Sequence, residues 1–237
     1  MFTFSLPWHQ EASFLRRPNR FVLEVFLLET AEVSMVHLHD PGRLEELLRP
    51  EARILLQKKD NPGRKTKYDV IAIENTEKDW VLVHSGFHSS IIQKFLLSEF
   101  SPLGKLKTIK PEITIGHSRL DFLLGSKNDR IWVEVKGCSL KDGAYGKFPD
   151  APTIRGTKHI ETLINCRLSG DRAALIFLIT APGVKYFTPF QDRDPKFAAA
   201  FWKAVEVGVE VYPLLFQFDK NHQELQYRNQ ILPIKNL

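Results

Sequence analysis

The chain has 237 residues, 43% hydrophobic and 26% charged, with a formal net charge of +5. That is ordinary for a soluble globular protein of one large or two small domains, and the mild basic excess is compatible with nucleic acid without demanding it. Two cysteines, Cys138 and Cys166, exclude a disulfide framework or zinc knuckle, and the longest apolar run, Ala173–Ala181, is too short to span a bilayer. Pro7, His9 and Glu11 interrupt the apolar start, no charged n-region precedes it, and so no signal peptide is read. A cytoplasmic protein without membrane association is expected.

Residues 1–85 are β-rich. Phe21–Leu28, Val33–Leu38, Arg53–Gln57, Tyr68–Ile73 and Trp80–His84 are short Val-, Ile-, Leu- and aromatic-rich runs separated by turn signals. Five such strands suit a small barrel, of which the OB-fold is one kind. Between them Pro41–Leu48 has helical character, with Leu44, Leu47 and Leu48 on one face. Arg16, Arg17 and Arg20 precede the first run. Lys58, Lys59, Arg64, Lys65 and Lys67 surround the Asn61-Pro62-Gly63 turn beside Tyr68. This basic loop could hold phosphates and stack a base, or it could be a solvated hairpin tip. His37 and His39 share a strand face beside Asp40, but no third metal ligand stands at a fixed spacing, so His39 and Asp40 are read as shaping the turn into Pro41–Leu48.

From Gly86 to Phe100 the period changes to that of an amphipathic helix, which bridges two domains. A strand over Lys107–Ile115 follows, then two strands within Ser118–Leu140 joined by the polar turn Gly125–Arg130. Helices are expected over Thr157–Leu168 and from Pro195 to about Val207, and strands over Ala173–Thr180, doubly buried, and Val209–Phe216. This order is α/β. On the second strand of the hairpin Glu134 and Lys136 share one face and Val133 and Val135 the other, while Asp121 sits between Leu120 and Phe122 on the first. Two carboxylates and an ammonium together make a site for a hard divalent cation and a water to be activated; a cross-strand salt bridge is the plainer alternative.

An Asp followed thirteen residues later by Glu-x-Lys resembles the pattern of the PD-(D/E)xK nucleases. Further stretches resemble the sugar fermentation stimulation protein family: Asn19–Phe21, His37–Leu48, Ser118–Leu124, Trp132–Leu140, Phe148–Leu163 and Asp192–Phe201. The resemblance implies an OB-fold domain over 1–85 joined to a PD-(D/E)xK nuclease-like α/β domain over 86–237. It also implies DNA binding and, from the family's name, a regulatory role in sugar metabolism, particularly of maltose. Asp121, Glu134 and Lys136 take the catalytic positions, with Glu112 as an additional acid, Mg²⁺ (or Mn²⁺) as cofactor, and Arg155, Lys158 and His159 near the site. The partner is DNA, with RNA also open, and many nucleases of this type act as homodimers. Where many members carry Asn-Thr-Gly-Arg, this chain has Asp40-Pro41-Gly42-Arg43.

On this view Asp121, Glu134 and the Val135 carbonyl hold the cation, Lys136 orients or helps deprotonate the attacking water, and Arg155 and His159, one helical turn apart, grip phosphate oxygens. Arg155 and Lys158 can equally be surface charges and His159 a satisfied polar contact, and the proline-stiffened Phe148–Pro152 loop a gate or merely a rigid connection. Three functions follow: a DNA-binding regulator, a Mg²⁺-dependent endonuclease, or a non-catalytic interaction module. No helix-turn-helix pattern is found, which favours contact with the nucleic-acid backbone over base recognition.

Overall fold

The computed structural model of the protein describes residues 1–126 and 129–237. Residues 127 and 128 of the expected turn lie outside the described residues.

The chain opens with a short strand, β1 (Thr3–Ser5), and then builds a barrel from β2 (Gln10–Asn19), β3 (Val22–Leu27), β4 (Glu32–His37), β5 (Arg53–Lys58), β6 (Tyr68–Glu74) and β7 (Trp80–Leu82). The sheet runs β4-β3-β2-β5-β6-β7, and a parallel pairing at His37↔Asp69 joins β4 to β6, closing five strands on themselves. Alternation places Leu23, Val25 and Leu27 of β3 inside with Ile54, Leu56, Val70 and Ile73. The strand β2 was not expected. Its start alternates, with Gln10, Ala12 and Phe14 buried, but Arg16, Arg17 and Pro18 at its end hide that signal. Those arginines therefore lie within a strand.

Pro41–Leu48 does not form the expected helix. It makes one turn, with the Leu47 and Leu48 amides both donating to the Leu44 carbonyl. Leu44 has a left-handed φ of 54°, which ends helical propagation. Its spaced leucines serve another purpose, since Leu44 and Leu47 plug the barrel.

A 3₁₀ turn, Ser85–Phe87, leads into α1 (His88–Leu96). The second domain then follows with β8 (Thr108–Ile115), β9 (Ser118–Gly125), β10 (Arg130–Cys138), β11 (Lys141–Asp142), β12 (Tyr145–Phe148), α2 (Ile154–Leu168), β13 (Arg172–Ile179), β14 (Tyr186–Pro189), α3 (Pro195–Glu206), β15 (Glu210–Asp219) and β16 (Glu224–Ile231). Seven strands form one sheet, β1-β16-β15-β13-β10-β9-β8, and β11, β12 and β14 a smaller one. Because β1 pairs with β16, the first residues belong to the second domain's sheet and not to the barrel, a correction to a boundary at residue 1.

The central strand β13 is buried on both faces. Ala174, Ile176 and Leu178 pack with α1 and with Leu55, Ile71 and Leu82 of the barrel, while Leu175, Phe177 and Ile179 pack with α2 and α3. One core thus runs from barrel to sheet and fixes the two halves against each other. Among the described residues no helix is long and apolar enough to cross a membrane.

Candidate active site

The ladder between β9 and β10 pairs Arg130↔Gly125 through Val133↔Phe122, while β10 stays paired with β13 on its other side as far as Cys138↔Ile179. Just beyond the last β9 pair, the Val135 amide donates to Asp121 Oδ2 at 2.7 Å instead of to a backbone carbonyl. The strands part where the polar residues sit.

Val133 and Val135 point into the core beneath α1, so Glu134 points the other way, toward α2. It is 2% exposed. Its Oε1 accepts from Lys136 Nζ and meets His159 Nδ1. Its Oε2 is buried without a hydrogen-bond partner. His159 comes from α2, whose first turn is capped by Thr153 Oγ1 accepting from the Gly156 amide at 2.9 Å. One turn earlier on that helix Arg155 places its Nε 3.4 Å from His159 Nε2.

The two carboxyls titrate in opposite directions. Burial, and next the charge of Glu134, push Asp121 up to about 6. Burial would also raise Glu134, but His159 and Lys136 more than offset it and hold it below the usual range. An ionised, buried carboxylate with an unsatisfied oxygen, beside a second carboxyl that resists ionising, lacks positive charge. Oxygen donors of this kind fit a hard divalent cation such as Mg²⁺ or Mn²⁺, and the unpartnered Oε2 is the observation that tests the fit.

These groups line a cleft of about 590 Å³ whose opposite wall is Arg20, Asp40, Gly42, Ser85 and His88 from the barrel and the start of α1. His88 packs against Gly137, where a Cβ would come within 2.0 Å of the ring, so that close approach requires glycine. Burial, then nearby His84, push His88 down to about 4, leaving it neutral near pH 7. The Phe148–Pro152 loop is tied to the barrel by Asp150 Oδ2, which accepts from the Leu44 amide at 2.7 Å, while within the facing run Asp40 Oδ1 accepts from the Gly42 amide at 2.8 Å. A side chain at position 42 would lie 2.8 Å from Asp150 Oδ2. The Asp40-Pro41-Gly42-Arg43 run and the Phe148–Pro152 loop are therefore two halves of one rim.

Of the residues expected at the site, Asp121, Glu134, Lys136, Arg155 and His159 come together. Glu112 does not join them; it is exposed, at a left-handed φ of 53°, and pairs with Arg119 at 3.5 Å. Lys158 is exposed and lines a separate surface hollow with His117, Trp132 and Asp171. The basic loop divides. Lys58 pairs with Asp60 at 3.3 Å, Arg64 bonds to Asp69, Lys59 lies 3.8 Å from the same carboxylate, and Lys65 and Lys67 are exposed. The wall residues His88, Asp40 and Asp150 were not expected. Asp40 and Asp150 stand in stretches that carried the resemblance, which was their signal; His88 had none, because its place depends on how the barrel abuts the sheet.

Comparison with known proteins agrees with this architecture. Residues 15–83 match the SfsA N-terminal OB domain, and residues 86–222 match the sugar fermentation stimulation protein RE domain. A sugar fermentation stimulation protein homolog of Methanothermobacter thermautotrophicus is 42% identical, over 91% of this chain and 89% of its own length. One from Thermosipho melanesiensis is also 42% identical, over 90% of this chain and 89% of its own. Pyrococcus furiosus SfsA, solved in complex with Ca²⁺, superimposes with a TM-score of 0.88 at 31% identity, covering 98% of this chain and all of that one. The chain therefore belongs to the sugar fermentation stimulation protein family.

Proposed function

We propose that the protein binds DNA along its backbone in the cleft between barrel and sheet and hydrolyses a phosphodiester there with the help of Mg²⁺ or Mn²⁺. One observation carries this: the buried, ionised Glu134 keeps an unpartnered oxygen beside Asp121, with Lys136 on the same carboxylate. A scaffold that only gripped phosphate would be weakened by two carboxylates at its centre, since they repel an anion unless a cation lies between.

A cation held by Asp121 and Glu134 supplies Lewis acidity and a water of lowered pKa. The remaining work falls to side chains. Lys136, only 14% exposed, donates hydrogen bonds that orient the attacking water and offset charge growing on the phosphoryl oxygens. Arg155 and His159 hold a non-bridging oxygen from the α2 side, and Arg20 draws the neighbouring phosphates to the barrel side. The water oxygen bonds to phosphorus as the bond to the leaving oxygen breaks; the water gives up a proton to solvent and the leaving oxygen takes one from solvent, so that one strand end carries a phosphate and the other a hydroxyl.

The test is cleavage of end-labelled single-stranded, duplex and flapped DNA, and of RNA, with Mg²⁺ or Mn²⁺ and with EDTA, beside binding measured on the same samples. Cuts that need the cation and vanish in Asp121→Ala and Lys136→Ala are the expected result. Salt-sensitive binding without cuts, unchanged by Asp121→Ala, would instead leave a DNA-binding protein whose output is regulatory, the role the family's name suggests.

A further inference from the structure

A second polar cluster lies where the barrel closes. His37↔Asp69 joins β4 to β6, His39 stands two residues past that pair, and His84 leaves β7 just before the 3₁₀ turn. Asp69 is 2% exposed and the His84 side chain 6%. Asp69 Oδ2 lies 3.2 Å from His39 Nε2 and 3.8 Å from His84 Nε2, and one donor atom from each residue falls within 4.8 Å of the others. Yet His39 Nε2 and both ring nitrogens of His84 are buried without hydrogen-bond partners. Proximity without a directed hydrogen bond leaves the two Nε2 atoms beside Asp69 Oδ2 unsatisfied, a costly arrangement unless something occupies the space between them.

The spacing suits a metal. Ligands about 2.0–2.1 Å from one tetrahedral zinc lie about 3.4 Å apart, close to the observed separations. The His39 and His84 rings stack 3.8 Å apart, and the Nε2 atoms of both lie beside Asp69 Oδ2. Arg64 bonds to Oδ1, which orients the carboxylate from behind and leaves Oδ2 for coordination. Lys59 Nζ, 3.8 Å from Oδ2, is the competitor for that oxygen and also bonds to Gln57, so it has an alternative partner. Two imidazoles and one carboxylate select a borderline cation over Mg²⁺ or Ca²⁺.

We propose that His39, Asp69 and His84 bind one divalent cation of the Zn²⁺ class, with a fourth position left for water. Such an ion fastens three segments distant in sequence: the turn just past β4, the start of β6 and the approach to α1. Ser85 Oγ already donates to the His39 carbonyl at 2.6 Å across this seam, and Ser85 and His88 beyond it line the cleft. The ion would thus steady one wall of the cleft without touching Asp121 or Glu134. The inference is independent of any cleavage activity.

The experiment uses the full chain carrying Glu134→Gln, so that the acidic site contributes little, after treatment with a chelator. Co²⁺ is titrated and followed by its visible absorption, with Zn²⁺ as competitor and thermal unfolding measured alongside. One equivalent of Co²⁺ with the intense bands of a four-coordinate site, displaced by Zn²⁺, is expected, together with a Zn²⁺-dependent rise in melting temperature. Both should disappear with Asp69→Asn and weaken at least tenfold with His39→Gln, whereas Lys59→Met should tighten binding. His39 is 28% exposed, so His39→Gln should melt like its parent without metal, which separates lost binding from lost folding. No saturable binding, or binding that survives both His39→Gln and Asp69→Asn, overturns the proposal.

Discussion

Two buried carboxylates, Glu134 in the sheet domain and Asp69 in the barrel, have similar immediate company. Each has a lysine beside it, Lys136 or Lys59, and each meets at least one imidazole. The difference lies in what completes the cluster. Glu134 faces a second carboxyl, Asp121, which burial and the charge of Glu134 push up to about 6. Asp69 faces Arg64 and two imidazoles, and although burial alone would raise it, those neighbours hold it far below the usual carboxylate range. The sheet cluster is short of positive charge and rich in oxygen; the barrel cluster has its charge matched and carries spare nitrogen. The side chains that complete each cluster decide which cation its buried acid can accept.

The largest consequence concerns chemistry. Asp121→Asn and Glu134→Gln should each lower metal-dependent DNA cleavage by about a thousandfold or more, since about 4 kcal/mol of transition-state stabilisation corresponds to three decades in rate. Asp69→Asn should lower it far less. Equal losses from all three, measured as single-turnover rates under saturating Mg²⁺, would erase the functional distinction between the clusters.

A smaller effect is the opposite response to pH. Asp121 binds its proton more tightly in the folded protein than in the unfolded chain. Its contribution is therefore fully present below about 4 and is lost as pH rises to about 6. Asp69 has the reverse sign: its contribution is present above about 4 and is lost on further acidification. In EDTA, raising the pH from 4 to 7 should cost wild type on the order of 2 kcal/mol more than it costs Asp121→Asn. Asp40, pushed up to about 6, and Glu46, to about 7, burial being the main cause for both, slope the same way in each protein and cancel from the difference. Denaturant unfolding at the two pH values checks this; parallel curves for wild type and Asp121→Asn would show that burial does not hold the Asp121 proton.

What could be seen in the sequence follows from the range over which each signal acts. The strand β13 was plain because both its faces are apolar, and the Asp–Glu–Lys set because alternation within two adjacent strands places it. The strand β16 was not, since its exposed end, Arg228–Ile231, reads as a polar tail until pairing with β15 is known. Pro41–Leu48 misled for a physical reason: leucines at helical spacing also suit a turn that plugs a barrel. His37 and His39 suggested a metal but lacked a third ligand, because Asp69 and His84 reach them only once the barrel has closed. Glu112 stood opposite Asp121 in the hairpin register, and its left-handed backbone turns it instead toward Arg119.

The smallest effect sharpens the comparison within the basic loop. Each lysine that neutralises a DNA phosphate adds about 0.9 to the slope of log affinity against log salt. Lys65 and Lys67 are exposed, so Lys65→Gln with Lys67→Gln should flatten the slope by about 2, weakening binding similarly across sequences. Lys59 and Arg64 are turned onto Asp69, and Lys59→Gln with Arg64→Gln should leave the slope nearly unchanged. A flattening by the second pair as large as by the first would carry a different meaning. DNA would then draw Lys59 and Arg64 away from Asp69, freeing its carboxylate as substrate arrives, and the barrel cluster would take up its cation only on loaded protein.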